Sequence, residues 1–233
     1  NQLQVRYSSI FNFDIKRVKE IFEVGLPAAL EQVIFQIGIT AFLILVAFYG
    51  TEAYAAYGIG VQILSFSIVI GFGFSIAGAT LVGQHLGAKN EEQAKRAGWG
   101  AMRLSIISMT FFGVLITIFA EPLARYMIDN DEVVRLTVIF IWLLGSMQPL
   151  MAIEFSLGGA LRGAGDTKTP LAITLTCLLF IRVFLAMIFF LLDARVEVIF
   201  STLVADYVVK GFLYVARFRS DRWMNALKTR EAD

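Results

Sequence analysis

Two acidic residues lie in apolar stretches of this sequence, where a charged side chain is unfavourable. Glu31 follows GLPAAL and precedes Gln32, and Glu154 lies within QPLMAIEFSLGGAL. Placing a carboxylate at the centre of a bilayer costs about 2.5–3.5 kcal/mol on insertion scales, so one without a basic partner is by default a proton or cation site. We predict that Glu31 and Glu154 are unpaired cation-coupling residues. For Glu154 an alternative stays open, because its side chain is near enough to a helix end to reach the interface.

A second group of charged residues contains both signs and can neutralise itself. Arg182 and Asp206 lie near the middle of the last two apolar segments, and Lys210 follows Asp206 by four residues. An acid and a base at this spacing meet on one face of a helix. Buried membrane charges usually pair, so we predict that Arg182, Asp206 and Lys210 form an intramembrane charge cluster joining the last two helices. A direct role in transport is the alternative.

The elements that must position these residues are membrane-spanning helices. Hydrophobic residues make up 58% of the 233 residues, charged residues only 17%, and mean hydropathy is +0.71. A bilayer crossing takes about 20 residues. Six segments are long enough: 24–48, 55–82, 99–119, 133–159, 170–192 and 196–216. The sequence therefore predicts an all-α polytopic membrane protein. Small residues permit close helix approach in lipid, which is the interpretation we favour for the glycines at 58, 60, 71, 73 and 78.

The basic residues of the loops predict the orientation of these spans. Most of them flank one side: Arg6, Lys16, Arg17, Lys19, Lys89, Lys95, Arg96, Arg162, Lys168, Arg217, Arg219, Arg222, Lys228 and Arg230. The opposite loops offer Arg125, Arg135 and Arg195. Cytoplasmic loops carry the excess of Lys and Arg in membrane proteins. We therefore expect both ends of the chain to be cytoplasmic, which agrees with an even number of spans.

Other kinds of chemistry have no support in the sequence. His85 is the single histidine and Cys177 the single cysteine, so no metal site and no disulfide framework is expected. RGAGDTKTP, residues 162–170, is glycine-rich but lacks the strand and the GKS/T ending of a phosphate-binding loop. We expect a tight turn there instead. The sequence predicts neither an enzyme nor a nucleic-acid partner, and any transport must draw on an ion gradient.

Several motifs together resemble one transporter family. GLPAALEQ (25–32), GFGFSIAGATLVGQHLGA (71–88) with NEEQAKR (90–96), QPLMAIEFSLGGALRGAGDTKTP (148–170) and RFRSDRW (217–223) are similar to the multidrug and toxic compound extrusion (MATE) family, in its NorM/DinF-like branch. Members of that family have twelve helices in two six-helix lobes. The resemblance implies that this chain is the C-terminal lobe. Residues 1–19 would be the cytoplasmic inter-lobe linker, 20–217 the transmembrane lobe and 218–233 a cytoplasmic tail.

The resemblance also implies a function. Members of the family exchange H⁺ or Na⁺ for cationic, amphipathic drugs by alternating access, with no organic cofactor. Acidic residues of helices seven and ten contribute to cation coupling in several members, and Glu31 and Glu154 lie on the matching helices. The implied setting is a bacterial or archaeal plasma (inner) membrane, with lipids, small-molecule substrates and an N-terminal six-helix lobe as partners.

A substrate path between the two lobes needs amide and apolar side chains. The candidates for its lining are Phe35, Gln36, Tyr57, Gln62, Met147 and Gln148. Two alternatives to the efflux function remain at this stage. One is a lipid-linked oligosaccharide flippase of the same superfamily, whose cavity should be rich in Arg and Lys. The other is a homodimeric six-helix channel or scaffold.

Overall fold

A computed structural model describes residues 15–225, so the sequence-based expectations for residues 1–14 and 226–233 lie outside the described residues. Helices follow one another along the chain in the following order: α1 (Ile15–Ala47), α2 (Thr51–Gly87), α3 (Glu91–Ile118), α4 (Ala120–Met127), α5 (Asp131–Ser146), α6 (Gln148–Gly163), α7 (Lys168–Thr176), α8 (Phe184–Leu191) and α9 (Val196–Arg219). A π-helical segment, Cys177–Val183, joins α7 to α8, and a 3₁₀ turn, Arg222–Asn225, follows α9.

The all-α polytopic prediction is confirmed. Five helices are long and apolar enough to cross a membrane, or six when the bent pair α5 and α6 counts as one span. α4 is a short helix that the sequence reading did not predict, and α1 and α3 begin before the predicted spans. Asn90 and Asn130 explain two of the helix starts, because their side chains accept hydrogen bonds from backbone N–H groups of the first turns of α3 and α5.

The sequence predicts a single span over 133–159, but in the structure this span is bent rather than one straight helix. α5 and α6 meet at Met147 with a bend of 54°. Pro149 is the cause, since it has no backbone N–H to donate to the preceding turn and its ring crowds that turn. The break lets α6 cross the interior of the bundle at its own angle. Glu154, on α6, is largely buried in the lobe, with 17% of its side chain exposed.

The loops fall into two groups at opposite ends of the lobe. At one end, ion pairs join Lys95 to Asp221 at 2.7 Å and Arg217 to Asp166 at 2.7 Å. At the other end, Arg135 contacts Glu197 at 3.0 Å. The first end contains the loops that the charge pattern predicts to be cytoplasmic. The arrangement is therefore consistent with an even number of crossings between the two groups.

α2 and α6 form the closest helix pair through small residues on both sides. A methyl group added at Gly159 would overlap the backbone of Ser75, and one added at Gly163 would overlap the backbone of Ala79. In lipid, where the tails are as apolar as leucine, such backbone contact supplies the packing energy. This pair fixes the position of α6, and therefore of Glu154, against α2.

The glycines of α2 divide into two kinds. A side chain at Gly60, Gly71 or Gly78 would meet α5 or α6, as the packing interpretation predicts. Gly58 and Gly73 face open space, with no atom of the described residues within 4 Å of an added methyl group. The packing interpretation therefore holds for the first three glycines only.

Gly159→Ala should lower the stability of the folded protein by about 1–3 kcal/mol, because overpacking against the Ser75 backbone forces α2 and α6 apart. Gly73→Ala is the matched control and should be neutral or stabilising by up to about 1 kcal/mol, since alanine favours helix more than glycine. Thermal unfolding of both variants in detergent measures the difference. Equal stability of the two variants would contradict the close contact between α2 and α6.

Candidate functional site

A cavity of about 240 Å³ opens among α1, α2, α5, α6, α7, the π-helical segment and α9. Most of its wall is apolar or aromatic, with the rings of Phe35, Tyr57, Phe72, Phe140, Phe155, Tyr207 and Tyr214. Its polar wall consists of Glu31, Gln32, Glu154, Arg162, Thr174 and Arg182. A concave, mainly apolar site with a few converging polar groups is the usual form of a small-molecule binding site.

The predicted charge cluster is assembled around one carboxylate. Asp206 lies 2.6 Å from the Arg182 guanidinium and 3.3 Å from the Lys210 ammonium. Asp206 and Lys210 have no exposed surface, and the Arg182 side chain is only 4% exposed. Arg182 belongs to the π-helical segment and the other two residues to α9, so the cluster joins these two elements as the sequence predicts.

Glu154 also belongs to this cluster, which the sequence reading did not anticipate. Its carboxylate lies 3.2 Å from the Lys210 ammonium, so Lys210 bridges Glu154 and Asp206. The four residues carry two positive and two negative charges. The expectation that Glu154 is unpaired is therefore wrong. The long lysine side chain reaches across from α9 to α6, a contact that sequence spacing alone does not give.

Glu31 is paired as well, contrary to expectation. Its carboxylate accepts from the Arg162 guanidinium at 3.0 and 3.1 Å and from the Thr174 hydroxyl at 3.3 Å. Arg162 also donates to the Ser75 hydroxyl at 3.2 Å. The sequence reading placed Arg162 in a loop, but α6 extends to Gly163. Helical side chains lean toward the helix N-terminus, so the arginine points back into the lobe.

Aromatic faces complete the surroundings of the cations. The Arg182 guanidinium lies 5.4 Å from the centre of the Tyr207 ring. The Lys210 ammonium lies 5.6 Å from the centre of the same ring and 5.7 Å from that of Phe35. Cations within about 6 Å of a ring centre are attracted to its electron-rich face. Tyr207 was missed in the sequence, although its position between Asp206 and Lys210 was a signal that it lies beside the cluster.

The substrate-lining candidates separate into two groups. Phe35 and Tyr57 line the cavity. The other four are outside its wall. Gln36 and Gln62 are exposed on the outer surface, Met147 is at the break between α5 and α6, and Gln148 is buried and accepts a hydrogen bond from Ser67 at 2.6 Å. These four residues lie outside the wall because of how their helices are rotated, which the composition of the sequence does not predict.

The chemistry available to the site is the exchange of one cation for another at a carboxylate. Within residues 15–225, no group of three or more metal-ligating side chains is close enough to hold a metal ion. Two acids border the cavity, and each is paired with a base. A cation entering the cavity must therefore compete with Arg162 or Lys210 for a carboxylate.

Asp206→Asn should destabilise the protein by about 3–5 kcal/mol, since it leaves Arg182 and Lys210 facing Glu154 alone in a buried site. Glu121→Gln is the control, because it removes the Arg125 ion pair at a position where the Glu121 side chain is 60% exposed. That change should leave the melting temperature almost unaltered. An Asp206→Asn protein as stable as the Glu121→Gln protein would show that the buried charges do not depend on one another.

Comparison with known proteins adds independent information. The MatE family model matches residues 27–188. The probable multidrug resistance protein NorM of Thermotoga maritima is 33% identical over 223 residues, which cover 91% of this chain and 46% of that protein. The chain thus spans about half the length of the curated relatives it matches.

Solved structures agree on the fold. The MATE transporter ClbM, in complex with Rb⁺, superposes with a TM-score of 0.83 at 21% identity, over 94% of this chain and 52% of that one. The bent form of the Vibrio cholerae MATE transporter VcmN gives a TM-score of 0.80 at 18% identity, over 94% and 51%. The family match and the 33% identity place the chain plainly: it belongs to the MATE family, and it corresponds to the C-terminal half of such a transporter.

Proposed function

We propose that this chain is the C-terminal lobe of an antiporter that exports cationic, amphipathic compounds in exchange for H⁺ or Na⁺ by alternating access. Members of the family are transporters rather than enzymes. The observation that carries the proposal is the cavity, in which two paired carboxylates, Glu31 and Glu154, face a mainly apolar wall that contains several aromatic rings.

The cavity suits a cargo with one charged and one apolar part. The rings of Phe35, Tyr57 and Phe155 offer apolar area and electron-rich faces to a flat organic cation. The carboxylates of Glu31 and Glu154 offer the charge. The bases that border the cavity, Arg162 and Arg182, are each paired with an acid. The cavity thus lacks the surplus of Arg and Lys expected for the anionic cargo of a lipid-linked oligosaccharide flippase.

Coupling follows from competition at Glu31. With Arg162 as its partner, the Glu31 carboxylate is neutralised within the lobe. A proton or Na⁺ that binds Glu31 weakens this ion pair and frees the Arg162 guanidinium, which also holds Ser75 of α2. The occupancy of Glu31 therefore alters the contact between α6 and α2. A ligand that binds one conformation better than another shifts the balance between them.

The partner of this lobe is an N-terminal six-helix lobe of the same protein, and the cargo path runs between the two. The excess of Lys and Arg in the loops at one end favours a cytoplasmic location for both ends of this segment. The membrane of the proposal is a bacterial or archaeal inner membrane. In this orientation the Glu31 pair lies in the cytoplasmic half of the lobe. The 54° break between α5 and α6 offers a place for the lobe to bend during alternating access.

Glu31→Gln should lower gradient-driven efflux. The protein should still insert and fold, because the Arg162 side chain that loses its acid is 30% exposed and keeps its hydrogen bond to Ser75. The amide keeps the size of the side chain but removes the carboxylate to which a proton or Na⁺ binds. Typical coupling energies of about 1–3 kcal/mol correspond to roughly 5- to 150-fold, so efflux should fall at least about fivefold. Efflux of a fluorescent cationic dye from cells, with the H⁺ and Na⁺ gradients collapsed in turn, measures this in the complete protein that carries the chain.

Glu23→Gln is the matched control on the same helix. Glu23 pairs with Lys19 and its side chain is 44% exposed, so this variant should export dye at the parent rate. Full, gradient-dependent efflux by Glu31→Gln would remove Glu31 from the coupling mechanism. Loss of efflux in both variants would point to a general effect of charge removal on α1.

A further inference from the structure

The Lys210 ammonium occupies a place that resembles an ion site more than an ordinary ion pair. It lies 3.2 Å from Glu154 and 3.3 Å from Asp206, in a position with no exposed surface. None of its contacts among the described residues has the geometry of a hydrogen bond. Two aromatic faces, from Phe35 and Tyr207, cover it at 5.7 and 5.6 Å. The ammonium is thus held by charge and ring faces, without a directed hydrogen bond to an acceptor.

A free monovalent cation is bound by the same groups. It has no hydrogen atoms to direct, and it is stabilised by carboxylate oxygens and by the faces of aromatic rings. Arg182 already neutralises one of the two carboxylates at 2.6 Å. Without the ammonium, the remaining charges would be two acids and one base. The site would then hold one uncompensated negative charge, which in a buried setting demands a cation.

We propose that Lys210 is a tethered cation that fills a monovalent-cation site formed by Glu154, Asp206, Phe35 and Tyr207. Free Na⁺ and K⁺ are therefore excluded from this site in the native chain. What exchanges at Glu154 is a proton or a cationic cargo that draws this carboxylate away from Lys210. Lys210 then remains paired with Asp206, which also contacts Arg182, so two bases share one acid and the cluster carries one excess positive charge while Glu154 is occupied.

The exposure of the two acids to the cavity supports the assignment of Glu154 as the acid that exchanges its partner. The Glu154 side chain is 17% exposed and borders the cavity, whereas Asp206 is fully buried. The charged and titratable groups that face Lys210 are Glu154 from α6, Asp206 and Tyr207 from α9 and Arg182 from the π-helical segment. Only Glu154 among the two acids is reached from the cavity, so a cargo can compete there and nowhere else in the cluster.

The test is the effect of salt on thermal unfolding of the purified full chain. The melting temperature is measured in 100 mM NaCl, KCl or N-methyl-D-glucamine chloride at equal ionic strength. Because Lys210 already fills the site at Glu154, any response of the parent to Na⁺ should come from Glu31, whose partner is Arg162. Glu154→Gln should therefore leave the response of the parent unchanged. Lys210→Met should melt lower than the parent in N-methyl-D-glucamine, and Na⁺ or K⁺ should raise its melting temperature by about 3–6 °C.

Two controls isolate the site. Lys210→Met combined with Glu154→Gln restores the balance of charge, since Asp206 and Arg182 remain, and should lose the response to Na⁺ and K⁺. Lys210→Arg keeps a tethered cation and should respond to the three salts as the parent does. A folded Lys210→Met protein that ignores Na⁺ and K⁺ would overturn the proposal.

The parent protein provides a second test, which does not depend on whether Lys210→Met folds. If Na⁺ or K⁺ stabilises the parent and Glu154→Gln abolishes this effect, free ions already enter the site and the proposal is wrong. A parent whose response to both ions is unchanged by Glu154→Gln supports it. The identification of the exchange as part of transport rests on the proposed efflux function, but the melting experiment involves no transport. The two can therefore fail separately.

Discussion

The Asp206 carboxylate, held between the Arg182 guanidinium at 2.6 Å and the Lys210 ammonium at 3.3 Å, is the contact on which the interior of the lobe depends. In hydrocarbon a charge persists only when it is paired. Asp206 and Lys210 bring α9, the π-helical segment and, through Glu154, α6 to one point. The charges of this cluster must therefore balance for the lobe to fold, whatever part they take in a mechanism.

The same requirement limits how the cavity can work. Glu31 with Arg162, and Glu154 with Lys210, are each balanced when nothing else is bound. A cation can enter only if it takes the place of a base that is already present. Exchange of partners, rather than addition of charge to an empty acidic pocket, is thus the chemistry that these side chains allow. The balance of charge therefore constrains both the packing of the lobe and its proposed role in antiport.

The sequence predicts the outline of this arrangement better than its details. Apolar length gives the spans, and the spacing of Asp206 and Lys210 gives their contact on one helix face. The pairing of Glu31 with Arg162 was not predictable, because it depends on where α6 ends and on the direction of a long side chain. Gln36 and Gln62 lie outside the cavity for a related reason, since composition does not fix the rotation of a helix that is apolar on most sides.

The claim that the buried charges form one balanced group is tested most directly by a double-mutant cycle on Asp206→Asn and Lys210→Met, with melting temperatures measured in N-methyl-D-glucamine chloride. Each single change leaves an unequal number of acids and bases, whereas the double change leaves Glu154 and Arg182, one of each sign. The double variant should lose less stability than the sum of the two single losses, by a coupling energy of about 0.5–3 kcal/mol. Losses that simply add would contradict it.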